Sequence, residues 1–261
     1  MPQTHKTGKG VAMPKDDTAM LRVGDIATAL ALLTRLPIRA NFTRGAAAAW
    51  AYPLAGVATA VLAALPTGAA LAFGVPPLLA ALIWIATHVI VTGAMHEDGL
   101  ADSADGLWGG WDRSRRLEIM KDSHIGSYGV IALCLSLAAR WVAVGMILQS
   151  PQWFWALVAV DMLSRAAMPV LMAALPHARD TGLSHAQGRP SKQTAGAAVF
   201  LAIVASVLLT GSHAMSLIVV ALAVSLATAS IAKSKIGGQT GDILGATQQL
   251  VEIALLITLT L

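Results

Sequence analysis

Seven stretches of roughly twenty mostly apolar residues run through the chain, at 46–65, 76–95, 127–148, 153–175, 194–211, 214–232 and 243–261. About 20 such residues are what a helix needs to cross the hydrocarbon of a bilayer. Pro66, Pro76, Pro77, Pro151, Gly211 and Ser212 stand in the gaps, where residues that turn or break a helix belong. Only 12% of residues are charged and 56% are apolar. A soluble domain carries about twice that charge, so much of this surface must face lipid. The expected fold is all-α, a polytopic transmembrane helical bundle of about seven spanning helices. A single integral membrane domain is expected over residues 20–261.

The basic residues give the bundle a direction. Lys6, Lys9, Lys15, Arg22, Arg35, Arg39 and Arg44 precede the first stretch. Arg113, Arg115, Arg116 and Lys121 lie between the second and third, Arg179, Arg189 and Lys192 between the fourth and fifth, and Lys233 and Lys235 between the sixth and seventh. Sixteen of the 18 Lys and Arg thus fall on one side. Positive residues collect on the cytoplasmic face, so the expected amino terminus is cytoplasmic and the expected carboxyl terminus is outside. Residues 1–19 read as a disordered basic tail without the apolar centre of a cleaved signal peptide. Residues 20–37 hold an apolar run too short to span comfortably, expected as an interfacial or re-entrant helix. The net charge of +4 reads as topology and contact with anionic lipid rather than nucleic-acid binding. The single Cys134 allows no disulfide within the chain and reads as a small buried hydrophobe.

The chemistry concentrates in HEDGLADSADGLWGGWDRSRRLEIMKDSHIGSYG, between the second and third stretches. Half of the chain's 14 acids fall between Glu97 and Asp122. Asp98, Asp102 and Asp105 are spaced i, i+4, i+7, which puts three carboxylates on one helix face. Like charges that close repel, and hard oxygen donors suit Mg²⁺, then Mn²⁺ or Ca²⁺. The competing reading is a solvated acidic face. Gly99 and Gly106 are read as leaving room for a large ligand beside the acids. His96 adjoins the acids as a base or as support for a carboxylate. Asp122 is a helix cap or a further metal ligand. Arg113, Arg115, Arg116 and Lys121, on an amphipathic helix, meet either phosphates or anionic headgroups.

A second element, KSKIGGQTGDILG at 233–245, brings Gly237, Gly238 and Thr240 ahead of a helix. Free backbone N–H groups there cradle an anion, with Lys233 and Lys235 adding charge. The alternative is a glycine-rich turn with Asp242 as N-cap. Arg140, Asp161, Arg165 and Glu252 lie inside apolar stretches, where an uncompensated charge costs at least several kcal/mol. Asp161 and Arg165, at i, i+4, are expected to neutralise each other. Arg140 and Glu252 read as an interhelical ion pair or as the floor of a substrate cavity, with Arg140 and Arg165 taken as candidate substrate contacts. His88 and His213 show no partner in sequence.

HEDGLADSADG followed by MKDSHIGSYG resembles the signature of the cobalamin synthase family. LLTRLPI with AWAYPLAG (32–56), SRAAMPVLMAALPHARDTGLS (164–184) and KIGGQTGDILGATQQLVE (235–252) agree with it in order and separation. The resemblance implies an enzyme of the bacterial inner membrane that needs Mg²⁺, with its active site facing the cytoplasm. Such an enzyme attaches α-ribazole, or its 5′-phosphate, to adenosylcobinamide-GDP and releases GMP. It further implies Asp98, Asp102 and Asp105 as metal ligands, supported by Glu97 and Asp122 and completed by Asp242, with Lys235 holding phosphate. One carboxylate, or His96, then takes the proton of the attacking hydroxyl. Asp102-x-x-Asp105-Gly106 also matches the start of the CDP-alcohol phosphotransferase motif, but Gly109-Gly110 stands where that family has Ala-Arg. A transporter using the buried charges as an ion path is a further alternative. The sequence leaves the oligomeric state open.

Overall fold

The computed structural model describes residues 21–261, so the tail expected over 1–19 lies outside them. Every regular element among the described residues is helical: α1 (Gly24–Leu33), α2 (Tyr52–Ala72), α3 (Pro77–Thr92), α4 (Met95–Gly109), α5 (Arg113–Ile119), α6 (Ser127–Ile147), α7 (Trp153–Ala174), α8 (Leu183–Gln187), α9 (Lys192–Thr210), α10 (Ala214–Ile236) and α11 (Gly241–Thr258), with short 3₁₀ segments before α2 and α10. Each of the seven apolar stretches falls on a helix. The short run at 20–37 becomes the ten-residue α1.

Four helical stretches are long and apolar enough to cross a membrane: Phe42–Ala72, Ser127–Ile147, Trp153–Ala174 and Lys192–Ile236. The pair α3 and α4, bent by 86°, makes a fifth if taken as one broken span. The difference from seven has physical causes. At 1.5 Å per residue, the 45 residues of Lys192–Ile236 would measure about 68 Å, twice a bilayer core. They are two helices that reverse at Gly211, whose φ is 54°, and then line one cavity together with α7. α11 is only 18 residues and buries Gln248, Gln249 and Glu252, which lowers its apolar content. α3 has 16 residues.

α7 is the centre of the bundle: 83% of its apolar window is buried, against 33% for α6. Its neighbour α2 comes close at Gly56, where a Cβ would stand 2.5 Å from the Asp161 carbonyl oxygen. The outer helices expose Leu135 and Val142 on α6, Phe200 and Leu208 on α9, and Leu222 and Leu226 on α10. An apolar face of that extent suits lipid rather than water. Pro66, expected in a gap, lies inside α2, which continues to Ala72. Its missing N–H costs one hydrogen bond near the end of a helix, and the apolar packing carries the helix past it.

Two turns place the candidate site. Gly93 and Ala94 both adopt left-handed backbone, with φ of 65° and 57°, so α3 ends and α4 leaves at its sharp angle. α4 bears four acids and forms the second arm of the bent pair with α3. At the far end of α10, Gly237 closes the helix in left-handed conformation. Thr240 then caps α11 by accepting from Ile243 N at 3.3 Å. Asp242 is therefore in the first turn of α11 and is not its cap.

Candidate active site

The acids of α4 and of the GGQTGD turn meet because α4 and α11 pack almost backbone to backbone. A Cβ on Gly99 would stand 2.8 Å from the Asp242 carbonyl oxygen and 3.2 Å from Gly245 Cα. A Cβ on Gly245 would stand 3.3 Å from His96 Cα. The glycines expected to leave room for a ligand are instead filled. α11 occupies the space at Gly99, and the Met120 side chain occupies that at Gly106. Helix contact, not ligand volume, is what these two positions require.

Asp98, Asp102 and Asp242 are drawn into one electrostatic neighbourhood. Asp102 is half-buried, and its carboxyl is pushed up from 3.8 to about 7. Burial contributes most, followed by Asp98, Asp242 and Asp105, while Arg179 opposes the shift. Arg179 Nη2 pairs with Asp242 Oδ2 at 3.0 Å, and its Nη1 is buried without a hydrogen-bond partner. Three hard oxygen donors with one guanidinium beside them fit a divalent cation such as Mg²⁺ in kind. Their ligand atoms stand apart. Among the described residues, the trio whose ligand atoms lie within 4.8 Å of one another is His88, Asp161 and Glu252.

That trio belongs to a buried ion network beneath the acids. Arg140 Nη1 lies 2.7 Å from Glu97 Oε1, and its Nε lies 3.0 Å from Glu252 Oε1. Arg165 Nη1 lies 3.1 Å from Asp161 Oδ1, the i, i+4 pair expected from sequence. Gln249 Oε1 accepts from Arg140 Nη1 at 3.0 Å, and Gln248 Nε2 donates to Glu252 Oε2 at 2.7 Å. His88, which shows no partner in sequence, has its Nε2 3.3 Å from Asp161 Oδ2 and stacks on Trp84. Charges this deeply buried persist when paired and hydrogen-bonded. The network fixes α3, α4, α6, α7 and α11 against one another.

The other candidates have structural partners. Asp105 is buried and accepts from Gly126 N at 2.7 Å and Gly129 N at 2.9 Å, so a residue of α4 satisfies the start of α6. Asp122, one reading of which is a helix cap, is exposed. Its Oδ1 faces His124 Nδ1 at 2.7 Å, and hydrogen bonds from His124 hold its carboxyl below the usual range. The cap residue of α6 is Gly126. Arg113 Nη2 donates to Ala178 O at 3.0 Å, and Arg116 donates to the carbonyls of Gly110, Trp111 and Lys235. Lys235 Nζ donates to Leu107 O at 2.9 Å and sits over Trp108. These cations tie α5 and the α4 end to the loops around α10, and Lys121 stays exposed. Gly238 abuts Pro176 O, leaving no room for a side chain. Cys134 is exposed rather than buried, on the apolar outer face.

Sequence reading missed four contributors. Arg179 was visible only as a positive charge in a loop. Buried Gln239 exchanges backbone bonds with Pro176 and Ala178, accepts from Ser184 Oγ at 2.6 Å and meets His177 Nδ1 at 2.9 Å. Gln248 and Gln249 complete the ion network. The polar stretch QTGDILGATQQLVE carries the signal for both sets, but only packing says which charges they serve.

The fold and site define an all-α protein with membrane-compatible helices and a carboxylate cluster gathered at one end of the bundle. Residues 25–260 match the family described as cobalamin-5-phosphate synthase. The adenosylcobinamide-GDP ribazoletransferase of Bradyrhizobium diazoefficiens is 41% identical over 251 residues, covering 94% of this chain and 96% of its own. The same-named proteins of Mesorhizobium japonicum, at 41% over 89% of this chain and 91% of its own, and of Azorhizobium caulinodans, at 42% over 90% and 94%, are similar. No solved structure matches. The chain belongs to the cobalamin-5-phosphate synthase family.

Proposed function

We propose that this protein transfers α-ribazole, or α-ribazole 5′-phosphate, onto adenosylcobinamide-GDP, releasing GMP and closing the nucleotide loop of cobalamin. With either form of the substrate, a ring hydroxyl of the ribose, which both forms retain, gives up its proton and forms a bond to the phosphorus that carries cobinamide. The bond from that phosphorus to the oxygen bridging to GMP breaks, and GMP leaves with the bridging oxygen. The observation that carries the reading is the close packing of α4, which bears Asp98 and Asp102, on the start of α11, where Asp242 pairs with Arg179, since these lie on separate motifs of a family match that runs almost end to end.

Phosphoryl transfer is mostly a matter of positioning and charge neutralisation. Two of Asp98, Asp102 and Asp242 would hold Mg²⁺, which supplies positive charge to a diphosphate when bound. Mg²⁺ is usually held by one or two carboxylates together with substrate phosphates, which leaves one of the three free. Asp102, with its carboxyl near 7, is suited to accept the hydroxyl proton. Arg179 has one arm on Asp242 and the other without a partner, and that second arm holds a phosphate oxygen. The ion network below keeps α4 and α11 in register.

The bundle is read as crossing the bacterial inner membrane seven times, with the acids at the cytoplasmic face. The positive residues on one side and the apolar outer surface support this reading. The test is the purified protein in liposomes with radiolabelled α-ribazole and adenosylcobinamide-GDP. GMP release that depends on Mg²⁺ is expected. Uptake of label without bond cleavage would replace the reading with transport, and CMP release from a supplied CDP-alcohol and acceptor alcohol, with no GMP release from adenosylcobinamide-GDP, would replace it with phospholipid synthesis.

A further inference from the structure

A cleft of about 500 Å³ opens between the end of α1, the start of α4 and α8, a volume within the roughly 300–1,000 Å³ of small-molecule sites. Leu32, Met95 and Leu183 give it apolar walls, Phe42 stands half-exposed in its lining, and Arg35 is its charged residue. Arg35 belongs to LLTRLPI, a stretch with no part in the acid site. Its backbone N–H donates to Val91 O at 2.7 Å. Its side chain crosses Gly93 so closely that a Cβ there would collide with Arg35 Nε, so the left-handed glycine that turns α3 into α4 also seats the arginine stem. Arg113, Arg116, Arg140, Arg165 and Arg189 all spend their guanidinium groups on protein acceptors. That of Arg35 is exposed and has no acceptor among the described residues. Met95, Asp98 and Asp102 are spaced i, i+3, i+7, which puts the cleft on the acids' face of α4, about 4.5 Å along the helix axis ahead of Asp98.

We infer that Arg35 holds the 5′-phosphate of α-ribazole 5′-phosphate in this cleft, an inference that rests on the function proposed above. The two phosphates of adenosylcobinamide-GDP are joined to each other, so the acid site keeps both. The 5′-phosphate is the one phosphate set apart from the reacting centre, because the ribose ring lies between it and the hydroxyl that attacks. It is largely dianionic at neutral pH, with a second pKa of about 6. A guanidinium meets such a group with two parallel N–H···O bonds. The ribose then spans from Arg35 past Met95 towards Asp98 and Asp102, and the phosphorylated form binds more tightly than α-ribazole. A phospholipid headgroup offers the same phosphate chemistry at a membrane surface, so lipid composition is one arm of the test.

Wild type, Arg35→Gln and Arg35→Lys are reconstituted in phosphatidylcholine liposomes with and without phosphatidylglycerol. GMP release is titrated with α-ribazole and with its 5′-phosphate at saturating adenosylcobinamide-GDP. Binding of radiolabelled α-ribazole 5′-phosphate to the same proteoliposomes is measured without the second substrate. The expected result is a wild-type KM lower for the 5′-phosphate than for α-ribazole. Arg35→Gln should raise the KM for the 5′-phosphate about tenfold more than that for α-ribazole, in both lipids, with Arg35→Lys in between. A ratio of the two KM values that Arg35→Gln leaves unmoved overturns the inference, as do equal rises for both forms, the mark of a structural role. An effect confined to phosphatidylglycerol and alike for both forms overturns it in favour of a lipid headgroup. Binding of the 5′-phosphate that Arg35→Gln weakens, in protein that releases no GMP even as wild type, would instead overturn the proposed reaction and leave the phosphate site standing.

Discussion

Nη2 of Arg179 lies 3.0 Å from Oδ2 of Asp242, which places a guanidinium from the α7–α8 loop on the first turn of α11. This cation is the chief opposing charge to an acid cluster drawn from two distant motifs. Replacing Arg179 with Gln removes the countercharge and the proposed phosphate donor together. Loss of one donor aimed at developing charge costs about 10²–10³ in rate. The expected result is a kcat lowered by that order while half-saturation by Mg²⁺ shifts to lower concentration, because the metal no longer competes with a fixed cation. Steady-state GMP release across a Mg²⁺ titration measures both.

Arg140 bridges Glu97 on α4 and Glu252 on α11, and all three are buried. Arg140→Leu strands two carboxylates in a dry interior. Removing one partner of a buried pair destabilises by about 3–5 kcal/mol. Thermal unfolding in detergent should show a large drop in Tm, partly recovered when Glu97→Gln is added. A drop that the second substitution does not reduce would argue that Arg140 acts through substrate instead.

Asp102 gives the protein a pH signature. Its folded-state carboxyl, near 7, lies above the ordinary 3.8, so the folded state holds this proton more tightly than the unfolded chain. Stability from that source is complete below about pH 4 and is lost as pH rises through about 7. Without divalent metal, Tm should fall between about pH 4 and 7, and Asp102→Asn should flatten that part of the curve. Mg²⁺ should raise Tm most at the alkaline end, where the cluster is fully charged. Thermal scans with and without chelator check the sign.

Much of this arrangement is legible in the sequence, and the rest is withheld for identifiable reasons. Six of the seven apolar stretches find their helices within about four residues, because an apolar surface makes the signal continuous rather than periodic, while the first ends seven residues short of α2, which runs through Pro66 to Ala72. Asp98 and Asp102 are legible through helical spacing alone. Asp105 shares that spacing yet accepts from Gly126 N and Gly129 N at the start of α6, since i, i+7 fixes a face but says nothing about what approaches it. Arg113, Arg116 and Lys235 look like phosphate ligands by charge, but folding turns them onto carbonyls. Arg140 with Glu252 and His88 with Asp161 are pairs between helices, and no local pattern encodes which helices touch.

Gly99 tests the packing directly. Gly99→Ala sets a methyl 2.8 Å from the Asp242 carbonyl oxygen, so α4 and α11 must separate. A displacement of about 1 Å at a reacting centre costs about 10² in rate. GMP release should fall by about that factor. Gly196→Ala on α9, with no atom within 4 Å of its Cβ position, should leave it unaltered.

The most direct test is GMP release by Asp102→Asn in liposomes containing adenosylcobinamide-GDP, α-ribazole and Mg²⁺. The substitution keeps shape and removes the charge. A general base contributes about 10²–10⁴ in rate. The account predicts turnover below about 1% of wild type, from protein that unfolds in detergent no more readily than wild type near neutral pH. Turnover within a few-fold of wild type, still dependent on Mg²⁺, would contradict the assignment of the α4 acids as the reaction centre.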